Sequence, residues 1–282
     1  MPAYDLRPAG VDGGALDQCA ALLGPVLGPS LDRAYLPWLY AGNPAGSVVG
    51  FNAFHADVLA AHYATIPVAA WVDGRLAKGV LSLNTATHPS HQGNGLFPRL
   101  AERTYEHAAS LGHEFVVGVA NARSTPGFIA KLGFQLVAPL DVGVGVGGAS
   151  PKPDRDRYGY YPHWTDDAIA WRLRRPGARY VAGRAHGGER DVFARVSAIG
   201  LLARLDRLPA RSADRLPSPP RVAPLRLRIG LDRAAAARGV LLPVPDSLKP
   251  SPLNLIFRDL TAQRRTLDAN HVRWTLLDFD AY

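Results

Sequence analysis

Along the first half of the chain, apolar and polar positions change period in a fixed order. From Leu96 the positions Leu96, Phe97, Leu100, Ala101, Thr104, Tyr105, Ala108 and Leu111 recur at three and four residues, which predicts a helix with one buried face. Upstream, Tyr4 to Arg7 is a short strand candidate. Gly13 to Leu23 has helical periodicity, and Leu31 to Tyr40 predicts a second helix ending near Gly42. Ser47 to Phe54, Leu59 to Val72 and Leu76 to Thr87 are strand-like runs. The last two meet at Asp73-Gly74, a hairpin signal because both turn residues tolerate positive φ. Downstream, Glu114 to Ala120 predicts a buried strand, Thr125 to Leu132 a short helix stopped by Gly133, and Phe134 to Val137 another strand.

From Pro139 to Pro162 the composition shifts to glycine, proline and tyrosine, which predicts loop and a boundary between residues 1–145 and 146–282. Beyond it, Ile169-Ala-Trp171 through Tyr180 echoes Leu36-Pro-Trp38 through Pro44: each sets a Trp at a helix end before a Pro and an extended run. Val192 to Ile199 and Leu225 to Ile229 read as strands, Gly200 to Arg207 and Asp232 to Arg238 as helices. Asn254 to Leu260 and Val272 to Asp278 are further candidates. The tail His271-Val-Arg-Trp274-Thr-Leu-Leu-Asp278-Phe-Asp280 pairs aromatics with carboxylates, which suits a sugar or an amine, or else is a last strand with solvated acids.

With 282 residues, 47% hydrophobic and 20% charged, the chain has room for two globular domains. Its single cysteine, Cys19, excludes an intrachain disulfide framework and sits in an apolar helical pattern as a core residue. No charged-then-apolar leader and no apolar run near the ~20 residues of a membrane span occurs, so a soluble, cytoplasmic protein is expected. The formal charge is +8, but only Lys78, Lys131, Lys152 and Lys249 are lysine. The arginine bias is that of a GC-rich, bacterial genome, and the scatter of the arginines argues against nucleic acid, whose footprint is a clustered basic face.

Candidate chemistry concentrates in Leu81 to Phe97, where an apolar run, Thr85-Ala86-Thr87, His88-Pro89 and the turn Gln92-Gly93-Asn94-Gly95 lead into the helix at Leu96. Orphan N–H groups and the positive end of the helix dipole point into such a turn, and glycines let an anion approach the backbone. The turn is a candidate phosphate cradle, or a tight turn with no ligand. Together with the strand, Asn121, the helix and Gly133-Phe134 that follow, it resembles the Gcn5-related N-acetyltransferases. The family signature Gln/Arg-x-x-Gly-x-Gly/Ala is met by Gln92 and Gly95 and departed from at Phe97. The resemblance covers residues 1 to 140 and is strongest from 80 to 135.

That resemblance implies an α/β (α+β) fold, a mixed central sheet flanked by helices in residues 1–145, followed by a second, degenerate copy in 146–282 that walls an acceptor pocket or forms an oligomer interface. It implies acetyl-CoA or another short acyl-CoA as co-substrate, with no metal. Thr85, Ala86, Thr87, Gln92, Gly93, Asn94, Gly95, Leu96, Phe97 and Asn121 would bind it. The amine's proton would go to His88, to His62 or to water. Many relatives place a Tyr in the helix after the Asn to protonate the thiolate. Here the matching positions are Phe128 and Ile129, which leaves Tyr63 or Ser124, or unassisted departure. Trp38-Leu-Tyr-x-x-Asn-Pro44 and the Trp-Thr-Leu-Leu-Asp tail resemble a branch acting on nucleotide-linked amino sugars, so a small-molecule amine of that kind is the expected acceptor. An amino-bearing antibiotic or its precursor, and a coenzyme A sensor without catalysis, are the alternatives.

Overall fold

The computed structural model describes residues 3–28, 33–146, 153–196, 201–220, 225–233, 240–245, 247, 249 and 251–279. The first half follows the predicted order: β1 (Asp5–Pro8), α1 (Gly13–Leu27), a π-helical turn (Pro37–Ala41), β2 (Val49–His55), β3 (Val58–Val72), β4 (Arg75–Thr87), α2 (Leu96–Ser110), β5 (Phe115–Ala120), α3 (Thr125–Leu132) and β6 (Gln135–Pro139). Local chemistry sets the ends. Asp12 caps α1 by accepting the Ala15 N–H, and Gly133 closes α3 in the left-handed region at φ 63°. Asp73 and Gly74 turn the hairpin with φ of 49° and 77°.

The second half adds β7 (Asp141–Val146), β8 (Tyr160–Pro162), α4 (Asp166–Arg172), β9 (Tyr180–Ala182), β10 (Glu189–Arg195), β11 (Leu202–Pro209), α5 (Ala210–Ala213), β12 (Arg226–Asp232), β13 (Val240–Pro243), β14 (Asn254–Asp259) and β15 (Arg273–Trp274). One sheet runs β1-β2-β3-β4-β5-β14-β6 with β8 on the far end of β3. The other runs β13-β7-β12-β11-β10-β9 with β15 on β12. In the first, β4–β5 is parallel and its neighbours are antiparallel; in the second, β11–β12 is parallel and its neighbours are antiparallel. Each sheet closes with a strand from across the expected boundary. β14 fills the place between β5 and β6, and β7 fills the place between β12 and β13. A single cut at 145/146 therefore does not separate the sheets.

Both faces of the first sheet are covered, which is why β3 reads as a nearly continuous apolar run. α2 and α3 pack Leu96, Leu100 and Phe128 with Val80 and Val116. On the other face α1 and the π-helical turn pack Cys19, Leu23, Leu36 and Leu39 with Ile66, Leu81 and Val117. Cys19 is the buried core residue expected, its thiol pushed up to about 11 by burial. The echoing tryptophans meet: Trp38 and Trp171 stack at 4.7 Å, and each indole N–H donates to the other's backbone carbonyl.

Three expectations are corrected. The helix expected from Gly200 to Arg207 is, from Leu202 on, strand β11, and its Arg204 and Arg207 pair with Asp191 on β10. The stretch expected as loop opens with β7, whose Val142 and Val144 are half-buried between β12 and β13; residues 147–152 lie outside the described residues. Asp278 is not a solvated acid but 6% exposed. Residues 31–32, 197–200, 234–238 and Asp280, on which parts of the predicted elements fall, also lie outside the described residues.

Candidate active site

β4 and β5 pair only from Gly79–Phe115 to Ser82–Gly118, while β4 runs on to Thr87 and β5 to Ala120. The sheet is therefore open between the strand ends. At the opening the β3–β4 register slips: Tyr63 faces Thr85 but Ala64 faces Leu83, so Asn84 is an extra residue, held at φ 42°. Such a bulge frees backbone groups from the ladder and re-aims side chains. Thr85, Ala86 and Thr87 pair with Tyr63, His62 and Ala61 on one side and border the opening on the other.

The glycine turn sits directly beyond. Gly93 and Gly95 have φ of 79° and 67°, and a Cβ on either would meet nothing within 4 Å. The space a side chain would fill is thus the space an anion needs, at the N-terminus of α2. Gln92 Nε2 donates to the Thr87 carbonyl and Asn94 Nδ2 to the carbonyls of His91 and Gln92, so both side chains brace the turn. Leu96 is buried. Phe97, the departure from the signature, packs on Tyr63, Phe128 and Gly127 in the α2 core, a contact that turns its ring into the protein. Asn121 Oδ1 accepts from the N–H groups of Arg123 and Ser124 and from the Ser124 hydroxyl, so it organises the start of α3, and Ser124 is committed there too.

The catalytic expectations separate. His62 has no exposure: its Nδ1 lies 2.6 Å from Asn52 Oδ1 and its Nε2 2.8 Å from the Tyr40 hydroxyl. Burial lowers it to about 4, and with both ring nitrogens engaged it holds no lone pair for a substrate amine. Tyr63 is equally enclosed under α2, its hydroxyl bonded to Ser82 and Tyr105 and pushed up to about 12 by burial. It reaches no substrate. His88 is exposed at the end of β4, 2.6 Å from the Ser90 hydroxyl, and it caps the turn Pro89–His91. Asn84 lies at the bulge, roughly 13 Å away along the strand, so His88 stands at the glycine-turn end of the opening.

Sequence reading missed what holds the bulge. Asn84 Nδ2 donates to the Tyr40 oxygen at 3.0 Å, and Tyr40 in turn bonds His62, which bonds Asn52. Donation from Tyr40 to His62 Nε2 and from His62 Nδ1–H to Asn52 satisfies every member, so the chain fixes one tautomer and one bulge geometry. The low His62 value has a consequence for stability. The unfolded imidazole binds a proton near pH 6.5 and the folded one does not until about 4, so stability falls on acidification through that window. Between pH 7 and pH 5 the loss from His62 alone should be about 2 kcal/mol. Urea midpoints of the wild type and His62→Gln check it: the variant should be less stable at pH 7 but show a visibly flatter pH dependence.

On the same face as Tyr40, the tail and α4 close over the sheet. Tyr160, Trp164, Ala168, Trp171, Trp274 and Asp278 contribute to the walls of a cavity of about 710 Å³, counted out to its open mouth, with Val117 of β5 also in its lining. Asp278 accepts from Trp164 Nε1 and from the Thr275 N–H and hydroxyl, and burial pushes it up to about 6 against the pull of Arg273. Trp274 and Asp278 are the pair the tail motif offered; Tyr160 and Trp164 carried no signal. Among the described residues no group of three or more His, Cys, Asp or Glu is placed to hold a metal, and no helix is long and apolar enough to cross a membrane.

Residues 17–137 match the family model described as an acetyltransferase (GNAT) domain. No curated protein matches the chain in sequence. Among solved structures, a GCN5-related N-acetyltransferase from Kribbella flavida superposes with a TM-score of 0.60 at 12% identity, covering 91% of this chain and 71% of that one. A probable N-acyltransferase from Enterococcus faecalis V583 gives 0.57 at 10% identity, with 92% and 73% covered. The Saccharomyces cerevisiae N-myristoyltransferase with bound myristoyl-CoA gives 0.57 at 8% identity, with 97% and 88% covered. At these identities the likeness is one of fold, and it extends over both sheets. Residues 17–137 thus match the model of an acetyltransferase (GNAT) domain, within a mixed α/β chain whose fold is of GNAT type.

Proposed function

We propose that the chain transfers an acetyl or other short acyl group from acyl-CoA to the primary amine of a small molecule. The observation that carries this reading is the opening between β4 and β5, with the bulge at Asn84 inside it and the glycine turn at its end. Backbone N–H groups of Gly93 to Phe97 hold the pyrophosphate, Thr85 to Thr87 line the pantetheine arm, and the donor supplies an activated thioester. At the bulge, a backbone N–H released from the β3 ladder donates to the carbonyl oxygen as charge develops on it. Holding amine and thioester together supplies much of the rate, since attack becomes effectively unimolecular.

His88, at the phosphate end, contributes to binding. His88→Ala should weaken acyl-CoA binding a few-fold while leaving kcat within about threefold of wild type. A fall of 10²-fold or more in kcat would instead make it the general base. The proton of the amine leaves to water, and the thiolate leaves unassisted, which its ordinary pKa near ~8.5 permits.

We infer that the second sheet is a degenerate copy of the first, because the order of parallel and antiparallel pairs repeats. It has no Gln-x-x-Gly-x-Gly turn, and it serves the acceptor side. A nucleotide-linked amino sugar is the acceptor suggested by the sequence; an amino-bearing antibiotic or its precursor is the second reading, favoured by the absence of Lys and Arg from the described walls of the cavity. The test is titration with acetyl-CoA followed by thiol release with both classes of amine. Binding with turnover supports acyl transfer, and absence of binding overturns it.

A further inference from the structure

The cavity beside Asp278 holds more polar chemistry than a packing defect would. Trp274 is 2% exposed and its indole N–H has no partner among the described residues. Tyr160 is 1% exposed, and its hydroxyl makes no hydrogen bond among the described residues. An unmade hydrogen bond at a buried donor costs about 1 to 3 kcal/mol; the Trp274 N–H can be met only by an acceptor, whereas the Tyr160 oxygen can accept from an ammonium. Next to them stands a buried carboxylate among tryptophan rings. The guanidiniums around it are engaged elsewhere: Arg273 is paired with Asp206, and Arg172 donates to the backbone carbonyls of Leu276, Leu277 and Phe279. Carboxylate and aromatic faces together favour a cation.

The same walls discriminate among occupants. A diphosphate would meet a carboxylate with no Lys or Arg in the described walls, and a long acyl chain would bury all three polar groups against methylenes. The place of the cavity adds a constraint. Its β5 wall, Val117, pairs with Leu81, and Leu81 lies roughly 10 Å along β4 from the bulge. An ammonium held at Asp278 is therefore not the nitrogen being acylated.

We propose that this cavity seats the non-reacting end of the acceptor, a protonated amine on a cyclic or apolar framework, so that the acceptor carries two basic nitrogens, one held at Asp278 and one presented at the bulge. This rests on the acyl-transfer reading for the second nitrogen only; the seat itself is independent of it.

The experiment follows tryptophan fluorescence of the full chain, without acyl donor, against 1,3-bis(aminomethyl)benzene, the monoamine 3-methylbenzylamine and the neutral 1,3-benzenedimethanol. Both amines should bind at least about 10-fold more tightly than the diol. Asp278→Asn should remove that preference. Because Asp278 also ties the Thr275 turn, Ala168→Phe provides a second variant: it fills the cavity without touching a charge and should abolish binding, with acetyl-CoA affinity and circular dichroism unchanged. In thiol release a diamine long enough to span roughly 10 Å, 1,8-diaminooctane, should be acylated at least about 10-fold faster than octylamine, whose one nitrogen is held away from the thioester. The proposal is overturned if the diol binds as tightly as the amines, if no amine binds, or if Ala168→Phe spares diamine binding. It is overturned equally if that variant blocks octanoyl-CoA instead, which would make the cavity an acyl-chain pocket. Amine binding without any acetyl-CoA binding would keep the seat and remove the acyl-transfer reading.

Discussion

Gly95→Trp should abolish acyl-CoA binding, with affinity falling by about 100-fold or more while the chain still folds. Gly95 precedes α2 at φ 67° with open space where a Cβ would stand, and that space faces the N-terminus of the helix. A side chain there keeps the pyrophosphate from backbone donors. Losing two hydrogen bonds to a charged group, each contributing about 1.5 kcal/mol or more, accounts for that factor. The left-handed backbone itself costs a non-glycine residue about 1 to 2 kcal/mol. Gly112 separates the two effects, since it has φ 81° and equally open space just past the far end of α2. Gly112→Trp should carry the same strain and leave the affinity measured by isothermal titration unchanged. If both variants bind acetyl-CoA normally, the glycine turn holds no phosphate.

Tyr40→Phe should lower kcat by about 100-fold with acyl-CoA affinity retained. Its hydroxyl joins Asn84 on the bulge to His62 in the core, and removing it frees the Asn84 amide and leaves His62 Nε2 buried without a donor. The stability cost is about 1 to 3 kcal/mol. The kinetic cost comes from the bulge: displacement of a reacting group or its donor by an ångström is enough for a 10²-fold loss. Asn84→Gly tests this from the other side. It tolerates φ 42° but loses the tether, so it should share the kcat defect while sparing His62. A Tyr40→Phe enzyme with normal kcat and reduced stability would reduce the network to a packing role.

The sequence was most legible where each element declares itself locally. Asp73-Gly74, Gly133, the three-and-four spacing from Leu96 and the buried Cys19 were all found in place, because turn chemistry and periodicity need no distant partner. The bulge left no trace: Asn84 adds one residue to a run that still reads as strand. His62 looked like a base because nothing near it in sequence announces Tyr40 or Asn52, which reach it only through the fold. Leu202, Leu205 and Leu208 fit helical spacing, yet Arg204 and Arg207 find Asp191 across a ladder, and pairing outweighs local preference. The Trp38 and Trp171 echo was legible as a repeat but not as a contact.

The exchange of β7 and β14 governs how the molecule can be made. A ribosome that has released residues 1–145 has delivered β5 and β6 but not the strand that lies between them, and it has delivered β7 before β12 and β13 exist. β7 waits for its partners until Pro243 emerges and the first sheet waits for β14 until Asp259, each with unpaired edges, the state most exposed to wrong pairing. Closing the first sheet requires contacts between residues more than a hundred positions apart, which slows folding and makes its last step depend on the second half of the chain. Expressed alone, the first half would carry an open slot beside its cleft, so the two halves mature together after synthesis.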